Sequence, residues 1–190
     1  MPPMPCINLL DEEKKQLYEV ASQAIELGLA SGGRRIVDLS RFPDTLRQQA
    51  ASFVTVLKKG ELRGCIGVLE AIRPLVQDVS HNAYSAAFED PRFAPLRQEE
   101  WRLCALHISV LTPPQLLSFT SEQDLICKLK AGEDGLILSW RGHRATFLPS
   151  VWEQLPDPRV FISELKRKAG LEKEFWADDI KAEIYQTTYI

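Results

Sequence analysis

The residues best placed to do chemistry lie in Leu62-Arg63-Gly64-Cys65-Ile66-Gly67, a run with the alternation of a β-strand. Successive strand side chains point to opposite faces, so Arg63 and Cys65 are expected on one face, roughly 6.5–7 Å apart, with Leu62, Gly64 and Ile66 on the core side. A guanidinium beside a thiol favours the thiolate, the nucleophilic and ligand-holding form of cysteine. Glycine weakens a strand interior and marks a bulge or a place where something approaches the backbone closely. Gly64 and Gly67 are therefore candidate ligand-binding positions beside Cys65. The competing reading makes Cys65 a small buried hydrophobe in a tight sheet, a common fate for cysteine.

A second cation, Arg92 in Asp90-Pro91-Arg92-Phe93, pairs with Arg63 in an anion-binding fork if that turn closes over the strand. Its alternative is an internal ion pair with Asp90 or Glu89. A nucleophilic cysteine needs a base at hydrogen-bond distance. His143, opening a second predicted hairpin strand, is the most attractive candidate. His107 alternates opposite the apolar face of its strand, and His81 shares a helical stripe with Tyr84 and Phe88.

The elements that must position these groups follow from periodicity. Residues 11–30 carry Leu17, Val20, Ala21, Ala24 and Leu27 at helical spacing, ended by Ser31-Gly32-Gly33. Residues 52–58 and 61–69 form a predicted hairpin about Lys59-Gly60. Residues 71–90 read as a helix whose small-residue face, Leu75, Val79, Ala83, Ala86 and Ala87, implies close approach to a neighbour. A strand over 102–111, a short helix from Ser121 to near Gly132, a hairpin of 135–140 with 143–148, a helix over 158–169 and a final strand over 180–189 complete the order. Hairpins with helices between them point to an α+β fold with an antiparallel sheet.

Bulk properties narrow the classes. Of the 190 residues, 45% are hydrophobic and 26% charged, the balance of a soluble globular chain. A net charge of −3 weighs against nucleic acid, leaving RNA binding or regulation a distant third reading. No apolar run has membrane-spanning length, the N-terminus lacks a secretory pattern, and the four cysteines (Cys6, Cys65, Cys104 and Cys127) show no paired or zinc spacing. A cytoplasmic protein with reduced thiols, no metal and no cofactor is expected.

Four blocks carry a family resemblance: SFVTVLKKGELRGCIG (52–67), AAFEDPRFAPL (86–96) with HISVLTPP (107–114), DGLILSWRGHRATFLPSVW (134–152), and ELKRKAGL (164–171) with the Tyr-rich terminus. In this order they resemble the AMMECR domain family, whose bacterial and archaeal members are called AmmeMemoRadiSam system protein A. The resemblance implies one domain over 1–190, with a larger and a smaller lobe and a cleft at the LRGCIG segment. It also implies a shared pathway with Memo-like and radical S-adenosylmethionine proteins. It supplies no established reaction. Relatives of this pattern carry a further cysteine before KAGL, where this chain has Lys166, which puts a two-thiol mechanism in doubt. The favoured expectation is a binding or accessory protein that takes a small polar or anionic ligand, or a partner segment, at Cys65, Arg63, Gly64, Gly67, Arg92 and His143. The alternative is acyl or group transfer with Cys65 as catalytic nucleophile and Arg63 beside it.

Overall fold

The computed structural model describes residues 7–190, so Cys6 lies outside the described residues. Contacts divide the chain into two units, one running to Pro113 and rejoined by Thr188–Ile190, the other Pro114–Thr187.

The first unit begins with α1 (Asp11–Ser31). Glu13 accepts a hydrogen bond from the Leu10 N–H at 2.8 Å, and Gly32, at φ 70°, closes the helix in the left-handed conformation that glycine tolerates. Leu17, Val20, Ala21 and Ala24 face the core as expected, whereas Leu27 is exposed and Ile25 takes its place. A short α2 (Asp44–Arg47) precedes the hairpin of β1 (Ala51–Lys58) and β2 (Glu61–Gly67). Lys59 and Gly60 both have positive φ, 53° and 85°, the geometry of a tight hairpin turn.

The helix expected over 71–90 is α3 (Leu75–Phe88), starting only after Pro74, and a single turn, α4 (Gln98–Trp101), leads into β3 (Cys104–Leu111). The sheet has the order β2-β1-β3-β8, its last member being β8 (Thr187–Tyr189). Helices α1 and α3 cover one face, burying Val54, Val56, Leu106, Ile108 and Val110 in a common core.

The second unit holds β4 (Gln115–Leu117), α5 (Glu122–Lys128), the hairpin β5 (Gly135–Trp140) and β6 (His143–Phe147), α6 (Pro158–Lys168) and β7 (Lys181–Tyr185). Its sheet runs β4-β7-β5-β6. Trp152 stacks on Phe161 at 3.7 Å between centroids, inside a core that includes Leu125, Leu136, Leu138 and Leu165. The strand expected over 180–189 is broken at Gln186, and its halves β7 and β8 serve different sheets.

Both sheets pair antiparallel wherever register is resolved, so the fold is α+β with antiparallel sheets. Among the described residues, no helix is long and apolar enough to cross a membrane.

Candidate functional site

The register of β2 corrects the expected alternation. Val56 stands opposite Gly64, but the next residue, Leu57, stands opposite Leu62, so Arg63 has no cross-strand partner and forms a bulge. One extra residue moves everything before it to the other face. Leu62 therefore leaves the core side and is 45% exposed. Gly64, Cys65 and Ile66, beyond the bulge, keep the expected order, with Gly64 buried.

The room beside Gly64 has an occupant. A methyl group built there would lie 2.0 Å from the Ala86 carbonyl oxygen of α3, and one on Gly67 would lie 2.2 Å from the Phe53 ring. Both glycines, expected to admit a ligand, admit the protein's own packing instead. The small-residue face of α3 and Gly64 are the two sides of one close contact.

Cys65 sits opposite Thr55 on β1, and Thr55 sits opposite His107 on β3, so the three share the sheet face away from α1 and α3. The Thr55 hydroxyl donates to Cys65 Sγ at 3.2 Å. Cys65 is part-buried, and His107 is exposed. Two strand spacings, about 9–10 Å, separate Cys65 from His107 at the backbone, too far for direct proton transfer.

β2 is the sheet edge, and the backbone of Cys65 points outward from it. Asp90 accepts the Cys65 N–H at Oδ2 (2.9 Å), and Arg92 Nη2 donates to the Cys65 carbonyl (3.3 Å). Arg92 also grips the same carboxylate through Nε (2.9 Å) and Nη2 (2.7 Å). The turn thus supplies the donor and acceptor of a missing strand and blunts an edge that would otherwise invite pairing. The Arg92 hydrogen bonds, opposed by desolvation and aided by the Cys65 amide, hold the Asp90 carboxyl down at about 2.

Arg63 is spent likewise. Its Nη2 lies 3.0 Å from Glu100 Oε2 and donates to the Ala94 carbonyl at 2.8 Å, while Lys58 Nζ reaches Glu100 Oε1 at 2.7 Å. These two cations lower the Glu100 carboxyl to about 2, Arg63 contributing most. Arg63 and Arg92 thus each close on a carboxylate and form no joint anion fork. The internal pair of Arg92 with Asp90 is the alternative the sequence offered.

His143 belongs to the second unit, where its Nδ1 bonds to the Ala169 carbonyl at 2.9 Å and its ring stacks near Trp140. Cys65 and His143 each make their polar contact inside their own unit. The sequence reading missed Thr55 and Glu100, and named Asp90 only as an ion-pair partner for Arg92. Asp90 had a signal, its place two residues before Arg92; Glu100, 37 residues from Arg63, had none. Among the described residues, no group of three or more His, Cys, Asp or Glu could hold a metal ion.

Two antiparallel sheets with flanking helices define an α+β protein whose first unit carries a cysteine strand clamped by the DPRF turn. The AMMECR1 family model matches residues 18–190, and the chain belongs to that family. It is 36% identical to a protein of Thermofilum pendens over 177 residues (87% of this chain, 82% of that one). To one of Methanothermobacter thermautotrophicus it is 38% identical over 168 residues (88% and 87%). The crystal structure of uncharacterized protein PH0010 from Pyrococcus horikoshii superposes with a TM-score of 0.89 at 32% identity, covering 95% of this chain and 92% of that one.

Proposed function

We propose that this AMMECR1-family protein is a binding module, not a thiol-dependent enzyme. Its ligand-facing surface is the row Cys65–Thr55–His107, which takes a small polar group or an extended partner segment. The pairing of both neighbouring arginines with carboxylates carries this reading. A nucleophilic cysteine depends on uncompensated positive charge or an adjacent base, and here each guanidinium serves Glu100 or Asp90. The sulfur instead accepts a hydroxyl hydrogen bond on a backbone locked from its outer edge, which is pre-organisation for holding a group. An accessory role beside Memo-like and radical S-adenosylmethionine proteins belongs to the same proposal and rests on the family pattern alone.

The test has two arms. In the first, iodoacetamide is applied near neutral pH and modification of each cysteine is followed by mass spectrometry. Cys65 should react no faster than the exposed Cys127, and markedly faster alkylation would restore the group-transfer reading. In the second, a strain lacking its own copy receives variants shown to fold. Cys65→Ala and Cys65→Ser should restore the deletion phenotype and Cys65→Trp should not. Loss of function in Cys65→Ser would refute a purely spatial role for the sulfur.

A further inference from the structure

A cavity of about 270 Å³ opens in the first unit between the segment leaving α1, residues 34–37, and the first turns of α3. Three guanidinium groups line it: Arg34, Arg35 and Arg73. Two are anchored by carboxylates that do not themselves line it. Arg73 Nε lies 3.3 Å from Oδ1 of the fully buried Asp78, and Arg34 pairs with Glu89. Asp78 is in turn fixed by the Ser52 hydroxyl (2.6 Å) and the Asn82 amide (2.9 Å).

Arg35 is different. No carboxylate pairs with it among the described residues, and its Nη1 is buried with no hydrogen-bond partner. Burial, and then the nearby Arg41, push its pKa down, as expected where positive charge is uncompensated. Nη1 itself is sealed from solvent, so an anion in the cavity meets the part of Arg35 that lines it and is held by a charge that no carboxylate offsets.

His81 adds a neutral donor. Arg34 Nη1 stands 3.1 Å from His81 Nδ1, and a guanidinium can only donate, so Nδ1 accepts and the ring proton sits on Nε2. Burial, then Arg73 and Arg34, lower the His81 pKa and keep the ring neutral. Its Nε2–H has no acceptor among the described residues.

We propose that this cavity is an anion site for a phosphoryl group, carried by inorganic phosphate or by a small phosphate monoester. Arg35 and Arg73 supply the charge, and His81, also on the wall, supplies a neutral ring N–H. Two guanidinium groups and a ring N–H on three separate stretches of chain around one cavity suit a tetrahedral dianion better than a planar carboxylate. The volume falls just under the roughly 300–1,000 Å³ of ordinary small-molecule sites, which fits a short monoester. The site shares no residue with the Cys65 surface, so either can fail alone.

Isothermal titration of the full chain with inorganic phosphate and, separately, glycerol phosphate, in chloride buffer of constant ionic strength, tests this. Saturable one-to-one binding is expected for at least one of them, and the tighter ligand identifies the source of the phosphoryl group. Arg35→Gln breaks no ion pair, so its fold should persist. It and His81→Leu should each weaken binding about tenfold, the effect of losing one hydrogen bond to a charged group. Absence of saturable heat with both ligands, or parental affinity in both variants, overturns the proposal.

Discussion

Replacing Asp90 should release the edge of the LRGCIG strand, and the size of the effect follows from its contacts. Asp90 is 4% exposed and accepts the Cys65 N–H, the Arg92 N–H and two guanidinium hydrogens. Hydrogen bonds to a charged group are worth about 1.5–3 kcal/mol each when buried. Arg92 is 53% exposed and rehydrates once freed, so its share is discounted heavily. Among the described residues the Cys65 amide has no second acceptor, so Asp90→Ala should cost about 2–3 kcal/mol. The depression of the Asp90 carboxyl by these same contacts gives a figure of similar size. Lowering from 3.8 to about 2 corresponds to roughly 2 kcal/mol.

The sign of that shift sets a pH window. A depressed carboxylate pKa contributes fully above the unfolded value near 3.8 and is lost as pH falls towards about 2. The parent should therefore lose an extra increment of about 2 kcal/mol across this window that Asp90→Ala has already lost. Glu100, lowered from 4.5 to about 2, destabilises both proteins over nearly the same range, so the difference between the two curves isolates Asp90. Urea unfolding across pH supplies the energies, and amide hydrogen exchange reports on Cys65 itself. Asp90→Asn is the discriminating variant: it can still accept the Cys65 N–H and should keep that amide protected while losing the pH dependence. A protected Cys65 amide in Asp90→Ala, with stability within about 0.5 kcal/mol of the parent, would refute the clamp.

Two further substitutions probe the supports of the two units. Gly64→Ala places a methyl 2.0 Å from the Ala86 carbonyl and must push α3 off the sheet, costing about 1–3 kcal/mol; a parental melting temperature would show that the helix yields freely. In the second unit Lys166, 1% exposed, pairs with Glu122 at 2.7 Å and donates to the Phe175 carbonyl. Glu122→Ala strands the ammonium and should cost about 2–3 kcal/mol, whereas Lys166→Met leaves a carboxylate that reaches water and should stay within about 1 kcal/mol. The reverse order in urea unfolding would contradict this account of the pair.

Sequence periodicity located these elements to within a few residues where a turn signal adjoined them. Lys59-Gly60 and Arg141-Gly142 mark both hairpins because positive φ restricts which residues can turn so tightly. The bulge at Arg63 was not legible: Leu62-Arg63-Gly64 alternates normally, and the extra residue appears only in the register against Val56 and Leu57. Nor was the partner of Arg63, since Glu100 reaches it through an intervening helix and turn. The contact of Gly64 with Ala86 was half legible from each end, as a glycine needing close approach and a helix face made small. Nothing local said that one was the answer to the other. The break at Gln186 escaped because residues 180–189 alternate acceptably throughout.

The strand clamp changes what the motif residues can be asked to explain. Arg63, Gly64, Gly67 and Arg92 each have a structural task in this chain: anchoring Glu100, admitting α3, admitting Phe53, and holding Asp90 against the sheet edge. Together LRGCIG and DPRF form one device, a protected edge strand, and their pairing along the chain follows from that without any reaction. The sulfur of Cys65 is left over. The clamp engages only its backbone, any side chain at that position could be held the same way, and Thr55 would fill out the sheet without its hydroxyl. A small side chain there, on a rigid ribbon beside Thr55 and the exposed His107, leaves open the face on which the proposed recognition rests. That is why the size of the side chain at position 65, and not the charge around it, is the variable the complementation series must change.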